Sequence, residues 1–261
     1  MLGTSYPNFK DKHKYRAVVN PDHFLRYESE QGRQPKFDVP KGIIFSYNSK
    51  LLKYIVDNHG AEKVDNFFGA GDLYLLKDTN KQIGVVANFG IGAPVAVALL
   101  EELIAFGVKK FISVGYAGTP QAHINPGDLI VCNRAIRDEG TSYHYLKPSK
   151  YAYASEKLTQ IIKDTMEADN HKYIVGTSWT IDAPYRATVE EIKKYQKEEV
   201  VAIEMEAAAL FSVAKVRGVE MGAMFTVSDS LADLKWDPKF HMSEESIKVL
   251  FHCAKEALMQ Q

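Results

Sequence analysis

Short apolar runs alternate along this chain with stretches in which apolar positions recur every three or four residues. The apolar runs predict buried strands, and they fall at residues 42–46, 72–76, 84–89, 110–114, 129–132, 173–178 and 221–227. The second and third of these runs are separated by a polar turn and predict a hairpin. The periodic stretches predict helices, the last of them at 243–258. Strands that alternate with helices indicate an α/β fold, which we predict to be a three-layer α/β/α sandwich around a mixed, mostly parallel sheet.

The first forty residues differ from the rest of the chain, because four prolines are spread among charged residues. Such a stretch predicts an irregular arm rather than a separate domain. The remainder shows no internal repeat and no interdomain linker. A length of 261 residues suits one large domain with a sizeable core, so we expect a single domain over residues 1–261.

Composition argues against several classes of function. Hydrophobic residues make up 46% and charged residues 25%, which is ordinary for a soluble globular protein. The net charge of −1 offers no general attraction to nucleic acid or to an anionic membrane. Neither an apolar leader core nor an apolar run of about 18 residues occurs, which fits a cytoplasmic protein. Cys132 and Cys253 lack paired spacing, so neither a disulfide framework nor a zinc site is expected.

The segment 200–233 contains the most informative chemistry. Glu204 and Glu206 flank Met205 at the start of an alanine-rich helix, and Asp229 follows the next strand. Carboxylates near a helix N-terminus gain from the helix dipole, so a charged helix start is one interpretation. The helix is predicted to be buried, however, and acids are seldom buried without a partner. We therefore expect one glutamate to bind the hydroxyls of a ligand and Asp229 to handle a proton.

Strand ends and loops supply further candidates for ligand contact. The turn after the first strand contains Ser46 and Lys50, and it either binds an anion through backbone N–H groups or merely caps a helix. The G-Y-A-G segment at 115–118 follows a buried strand but does not open a helix, unlike a dinucleotide-binding fingerprint. The loops at 137–145 and 179–186 mix aromatic and charged residues after strands, where pockets of α/β proteins form.

Several segments together carry a resemblance to a known family. They read I-I-F-S-Y-N-S-K at 43–50, F-G-I-G-A-P-V-A-V-A-L-L-E-E-L at 89–103, G-V-K-K-F-I-S-V-G-Y-A-G at 107–118, I-N-P-G-D-L-I-V at 124–131, A-I-E-M-E-A-A-A-L at 202–210 and T-V-S-D at 226–229. In this order the chain resembles the superfamily of nucleoside phosphorylases and nucleosidases, which contains uridine phosphorylases, hexameric purine nucleoside phosphorylases and methylthioadenosine nucleosidases. The E-M-E segment followed by S-D is the specific part of the resemblance.

The resemblance implies a role for each matching position. Glu206 corresponds to the acid that holds the ribose hydroxyls, with Met205 packed on the sugar, and Asp229 to the acid that protonates or hydrogen-bonds N7 of a leaving purine. Base-binding positions are implied at Gly118, Trp179, Arg186 and Ser228. The S-D pair favours a purine base, whereas Arg186 and the loop at 137–142 are more similar to the uridine branch. We favour a purine ribonucleoside.

The implied phosphate site departs from the family pattern. The positions that differ are Ser46, Lys50, Ser113 and Tyr116, where the family usually has a glycine, two arginines and a serine or threonine. The backbone of Gly115 is also implied as a phosphate contact. Lysine supplies a point charge but not the bidentate fork of arginine. Arg137 or a basic residue of another subunit could complete the site.

Three functions therefore follow from the resemblance as alternatives. The favoured one is a phosphorylase, a pentosyltransferase that uses phosphate as co-substrate to release free base and ribose 1-phosphate. The second is a nucleosidase that uses water, and the third is a non-catalytic nucleoside-binding protein. The resemblance also implies a homo-oligomer, either a dimer or a trimer of dimers, in which an N-terminal histidine (His13 or His23) could reach a neighbouring site. No metal or organic cofactor is implied.

Overall fold

The computed structural model describes residues 6–67 and 69–260, and in these ranges eleven strands form one mixed sheet flanked by seven α-helices. The strands are β1 Gly42–Ser46, β2 Ala61–Lys63, β3 Asp72–Leu76, β4 Ile83–Ala87, β5 Lys110–Thr119, β6 Leu129–Asp138, β7 Tyr151–Tyr153, β8 Ile174–Ile181, β9 Ala202–Glu204, β10 Glu220–Ser230 and β11 Asp237–Pro238. The helices are α1 Pro21–Glu30, α2 Ser49–His59, α3 Ala93–Ala105, α4 Glu156–Ala168, α5 Val189–Lys197, α6 Ala207–Arg217 and α7 Glu244–Met259.

The sheet is organised around β5, which is long enough to pair with different neighbours along its length. It runs parallel to β1 on one side and to β10 on the other, and its last residues meet β9. Strands β5, β10, β6, β8 and β9 pair with one another in a closed cycle, while β1 continues the sheet to β4, β3 and β2. The carboxyl ends of β1, β5 and β10 therefore point to the same region, where ligand sites of parallel sheets form.

Two apolar clusters lie on opposite faces of the sheet and give the fold its three layers. On β1, Ile43 and Phe45 belong to the cluster formed with α3 and α6, whereas Ile44 belongs to the cluster formed with α2, α4 and α7. This alternation follows from the two-residue period of side chains along a strand. The predicted three-layer α/β/α sandwich is confirmed, as is the hairpin, which β3 and β4 form.

Two sequence-based expectations were wrong in extent. Strands β5, β6, β8 and β10 continue beyond the apolar runs that predicted them, because β5 pairs with β10, and β6 with β8, up to the last residue of each strand. The predicted irregular arm contains α1, whose first residue is Pro21, a position where the missing N–H of proline leaves no helical hydrogen bond unmade. Within the described part of the chain, no helix is both long and apolar enough to cross a membrane.

Candidate active site

A cavity of about 640 Å³ opens at the carboxyl ends of the central strands. This volume is within the range usual for sites that bind small molecules. Its wall is mostly apolar, and the charged groups that line it among the described residues are Glu204, Glu206, Asp229 and Lys235. Three carboxyl groups and one ammonium group therefore line the cavity.

Glu204 ends β9, and its carboxylate organises the turn into α6. One oxygen accepts hydrogen bonds from the hydroxyls of Ser178 (3.0 Å) and Thr180. The other accepts from the backbone N–H groups of Glu206 and Ala207, both at 2.7 Å. Burial raises the pKa of Glu204, and these four donors oppose the rise because they stabilise the ionised form. Both glutamates precede the first turn of α6, Glu204 as the last residue of β9 and Glu206 as the N-cap residue of the helix.

We expect Glu204 to be a structural residue, and its removal to lower stability. Glu204→Ala leaves two buried backbone N–H groups without an acceptor, at a cost of about 1–3 kcal/mol each. The free energy of unfolding, measured by urea titration, should fall by roughly 2–6 kcal/mol. Glu190→Ala, which removes an exposed carboxylate from α5, should change it far less. Equal unfolding midpoints for the two variants would contradict this role.

Glu206 occupies the position before α6 and faces the cavity with fewer partners. Its Oε1 accepts a hydrogen bond from the backbone N–H of Gly92, and Met205 beside it also lines the cavity. Burial, followed by the charge of Glu204, raises the pKa of Glu206 to about 8. Glu206 is therefore an acceptor with spare capacity at the cavity wall, as hydroxyl recognition requires.

Asp229 lies on β10 directly after a bulge in the pairing of that strand with β5. Such bulges re-aim side chains, and here Asp229 and its neighbour Ser228 both line the cavity. The Ser228 hydroxyl donates to Asp229 Oδ1 at 2.6 Å, and the Trp236 indole Nε1 donates to Oδ2 at 2.9 Å. A Cβ atom on Gly118 would lie 2.9 Å from Oδ2, so a glycine at this position makes room for the carboxylate.

Tyr47 lies where the sequence placed a phosphate group. Its ring lines the cavity and approaches the backbone of Gly115. A Cβ atom placed on Gly115 would lie only 3.3 Å from Cδ2 of the Tyr47 ring. Its hydroxyl shares a hydrogen bond of 3.0 Å with Ser113 Oγ. Burial and the nearby charge of Glu206 raise the pKa of Tyr47 well above its ordinary value, as expected at the acidic end of a cavity.

Comparison with models of known protein families gives a match over most of the chain. The family model for the phosphorylase superfamily matches residues 49–258. The chain belongs to this superfamily.

Individual members of the phosphorylase superfamily align with this chain at modest identity. Guanosine phosphorylase of Halorubrum lacusprofundi is 33% identical over 56% of this chain and 61% of its own length. Uridine phosphorylase of Thermococcus kodakarensis is 32% identical over 57% and 60%, so these two alignments span about three fifths of each relative. A DeoD-type purine nucleoside phosphorylase of Shewanella oneidensis is 29% identical over 83% of this chain and 94% of its own.

Solved structures of the phosphorylase superfamily have the same fold. Uridine phosphorylase of Vibrio fischeri superposes with a TM-score of 0.73 at 24% identity, covering 97% of this chain and 100% of its own. AMP nucleosidase of Bacteroides thetaiotaomicron superposes with a TM-score of 0.74 at 21% identity, covering 92% and 97%. At these identities the likeness concerns the fold, and the resemblance seen in the sequence is confirmed at the level of the superfamily.

The implied phosphate residues are only partly brought together. Gly115 and Tyr116 line the cavity, whereas Ser46 is fully buried with a hydroxyl that has no partner among the described residues. Lys50 is directed away, because the buried face of α2 begins at Leu51 and the Lys50 ammonium group pairs with Glu244. The turn does cap a helix, since the Asn48 side chain accepts from the Leu51 N–H at 2.8 Å. Lys50 is therefore not among the residues that line the cavity.

Two of the implied base-binding residues also lie outside the cavity wall. Trp179 is fully buried beside Tyr195, and its Nε1 donates to Asp138 at 2.8 Å. Side chains alternate between the two faces of a strand, and the preceding residue, Ser178, points toward Glu204. Trp179 therefore points to the opposite face. Arg186 is exposed in the turn Pro184–Arg186 and is not among the lining residues.

Arg137, considered as a further phosphate ligand, is occupied by its own loop. Its Nε donates to Ser142 at 2.8 Å, and one terminal nitrogen donates to Ser149 (2.7 Å) and to the Lys147 carbonyl (2.8 Å). The guanidinium also stacks on Tyr143, 4.5 Å from its ring centre. Arg137 therefore stabilises the loop after β6.

Sequence reasoning missed two aromatic contributors, Tyr47 and Trp236. Both residues lie in short polar segments that suggested turns. A large aromatic ring in such a segment was the feature of the sequence that could have indicated a place in the cavity wall.

Away from the cavity, Asp169, His171 and Cys253 carry possible metal-ligand atoms that lie within 4.8 Å of one another. Burial raises the pKa of the Cys253 thiol to about 12, so it is protonated at neutral pH, and we assign no metal to this cluster.

Proposed function

We propose that this member of the phosphorylase superfamily cleaves the N-glycosidic bond of a purine ribonucleoside. The observation that carries the proposal is that Glu206, Met205 and Asp229 line one cavity although they come from two separate segments. Bond cleavage develops positive charge on the sugar and negative charge on the leaving base. A carboxylate beside the sugar and an acid beside the base answer these two needs.

Purine is supported over uridine by the surroundings of the base position. Ser228 and Asp229 are paired at the cavity wall, where the acid can donate to or accept from a purine edge. The arginine that suggested the uridine branch, Arg186, is exposed outside the lining. The names of the relatives include purine nucleoside, guanosine and uridine phosphorylases, so they leave the choice of base to the site.

Water is the nucleophile that the cavity favours. A phosphate dianion needs cationic or N–H partners, and the implied site offers neither the Lys50 ammonium nor a free Ser113 hydroxyl. Tyr47 instead packs its ring against Gly115, close to the acidic group of Glu206. A dianion inserted there would lose its hydration without gaining the cationic partner that Lys50 was expected to supply. Phosphorolysis, which the names of the relatives support, would require a cationic partner other than Lys50, either Lys235 at the cavity wall or a basic group of another subunit.

A substrate panel assayed with and without phosphate tests both parts of the proposal. Purine ribonucleosides should be cleaved at the same rate when phosphate is omitted, with release of free ribose, and uridine should be cleaved more slowly. Lys50→Ala should retain the parental rate, since its side chain is 74% exposed and pairs outside the cavity. A requirement for phosphate together with ribose 1-phosphate as product would overturn the hydrolytic assignment. Tight nucleoside binding without turnover would instead support the non-catalytic alternative.

A further inference from the structure

The two tryptophans of the chain lie in opposite environments. Trp179 is fully buried, whereas Trp236 is 65% exposed and lines the cavity. Large aromatic rings combine apolar area with a polar N–H, and their exposure on a concave wall is typical of a binding surface. The position of Trp236 therefore needs an explanation other than core packing.

The backbone holds Trp236 beside Asp229. Pairing of β10 with β11 sets Ser230 opposite Asp237, so the six residues 231–236 form a loop that returns to β10. The first half of this loop is anchored, because the Leu231 N–H donates to Thr119 O at 2.8 Å and Ala232 O accepts from the Gln196 amide at 2.9 Å. Trp236 therefore projects from the return half of a loop whose other half is fixed.

The side chain of Trp236 adds a directional contact to this placement. Its indole N–H donates a hydrogen bond to Asp229 Oδ2 at 2.9 Å, and the Ser228 hydroxyl donates to Oδ1. The carboxylate is therefore held from two sides. A carboxylate oxygen has two lone pairs, and Oδ2 keeps capacity for a second partner while it accepts from the indole. The contact fixes the carboxylate without closing it to a ligand.

We propose that Trp236 stacks on the planar base of the substrate and positions Asp229 through its indole N–H. This inference rests on the proposed function, which places a purine beside Asp229. Removal of an aromatic ring on which a base stacks typically lowers the affinity for that base by about tenfold or more. Trp236 is a specificity and positioning residue in this arrangement, and Asp229 remains the group that contacts the base edge.

Two substitutions separate stacking from positioning. Trp236→Phe keeps a flat ring but has no N–H, so the affinity for adenine should stay within about threefold of the parent while kcat on adenosine falls about tenfold. Trp236→Leu removes both features, and it should lose about tenfold in adenine affinity as well as in kcat. Tyr153→Leu, which removes an exposed aromatic ring from β7 outside this cavity, should match the parent.

Tryptophan fluorescence provides a readout that does not depend on turnover. Adenine should quench the emission of the parent protein and leave that of Trp236→Phe unchanged, since the remaining Trp179 is buried away from the cavity. Adenine that binds by calorimetry without quenching the parent would overturn the stacking contact. Equal kcat and KM in the parent and both Trp236 variants would overturn the positioning role while the proposed function stands. Quenching in a protein that cleaves no nucleoside would support the base contact and refute the proposed function.

Discussion

Asp229→Asn should lower kcat/KM on purine ribonucleosides by about a hundredfold or more, which is the range that general acid catalysis contributes. The Asp229 side chain lines the cavity and accepts hydrogen bonds from Ser228 and Trp236, one on each oxygen. Asparagine has a single acceptor oxygen, so it can retain only one of these two contacts in the same geometry. The amide cannot deliver a proton to the leaving base, so negative charge on the base is left without an acid partner. Steady-state kinetics on adenosine and inosine would measure the effect.

The matched control for this prediction is Asp233→Asn in the adjacent loop. Asp233 is exposed and outside the cavity lining, so the same change of charge there should leave kcat/KM unaltered. Thermal unfolding of both variants should agree with that of the parent. Unchanged kinetics in Asp229→Asn would remove Asp229 from the mechanism.

Glu206→Gln should lower kcat/KM on ribonucleosides by about a hundredfold, because one of the two carboxyl oxygens is replaced by an NH2 group that cannot accept a hydrogen bond from a sugar hydroxyl. The loss on 2′-deoxynucleosides should be smaller, so the preference for ribose over deoxyribose should decrease. Glu190→Gln on the exposed side of α5 is the control of equal chemistry. An unchanged ratio of ribose to deoxyribose activity in Glu206→Gln would assign sugar recognition to another group.

The same variant should alter the pH dependence of stability. The pKa of Glu206 is about 8 in the fold against an ordinary 4.5, so between these values the folded state binds a proton that the unfolded state lacks. The contribution of Glu206 to stability is therefore complete below about pH 4.5 and is lost as the pH rises through about 8. Because glutamine does not titrate, the unfolding free energy of Glu206→Gln relative to the parent should rise from pH 5 to pH 8 in urea titrations. A constant difference would show that Glu206 is not protonated in the free cavity.

Local patterns predicted the layers of this fold because strand and helix periodicities are properties of neighbouring residues. One example is the alternation of Ile43, Ile44 and Phe45 between two apolar clusters. Another is the run of small residues in α6, which predicted that this helix is buried. The prediction was less accurate where pairing partners decide the length of an element. Strand β10 continues to Ser230 because β5 and β11 supply hydrogen bonds to its polar end.

The candidate site was predicted in part for a related reason. Residue types and placement made the glutamates and Asp229 candidates, and the family resemblance implied roles for Glu206, Met205 and Asp229. The structure brings these three residues to one cavity. Lys50 and Trp179 lie outside the cavity lining, which the sequence did not indicate because a residue type does not reveal which way a side chain points. The register of α2 turns Lys50 to Glu244, and strand alternation turns Trp179 into the core.

The sequence by itself determined that this chain is an α/β protein of the phosphorylase superfamily with carboxylates at the start of an alanine-rich helix and at the end of the next strand. Tertiary structure decided that Tyr47, rather than a cation, lies against Gly115, and that Trp236 reaches Asp229. Both contacts join residues distant in sequence or separated by a loop, and they depend on how strands curve and pair. The type of chemistry is encoded in local residue patterns, whereas the space left for a nucleophile is set by packing between segments that the sequence does not show to be neighbours.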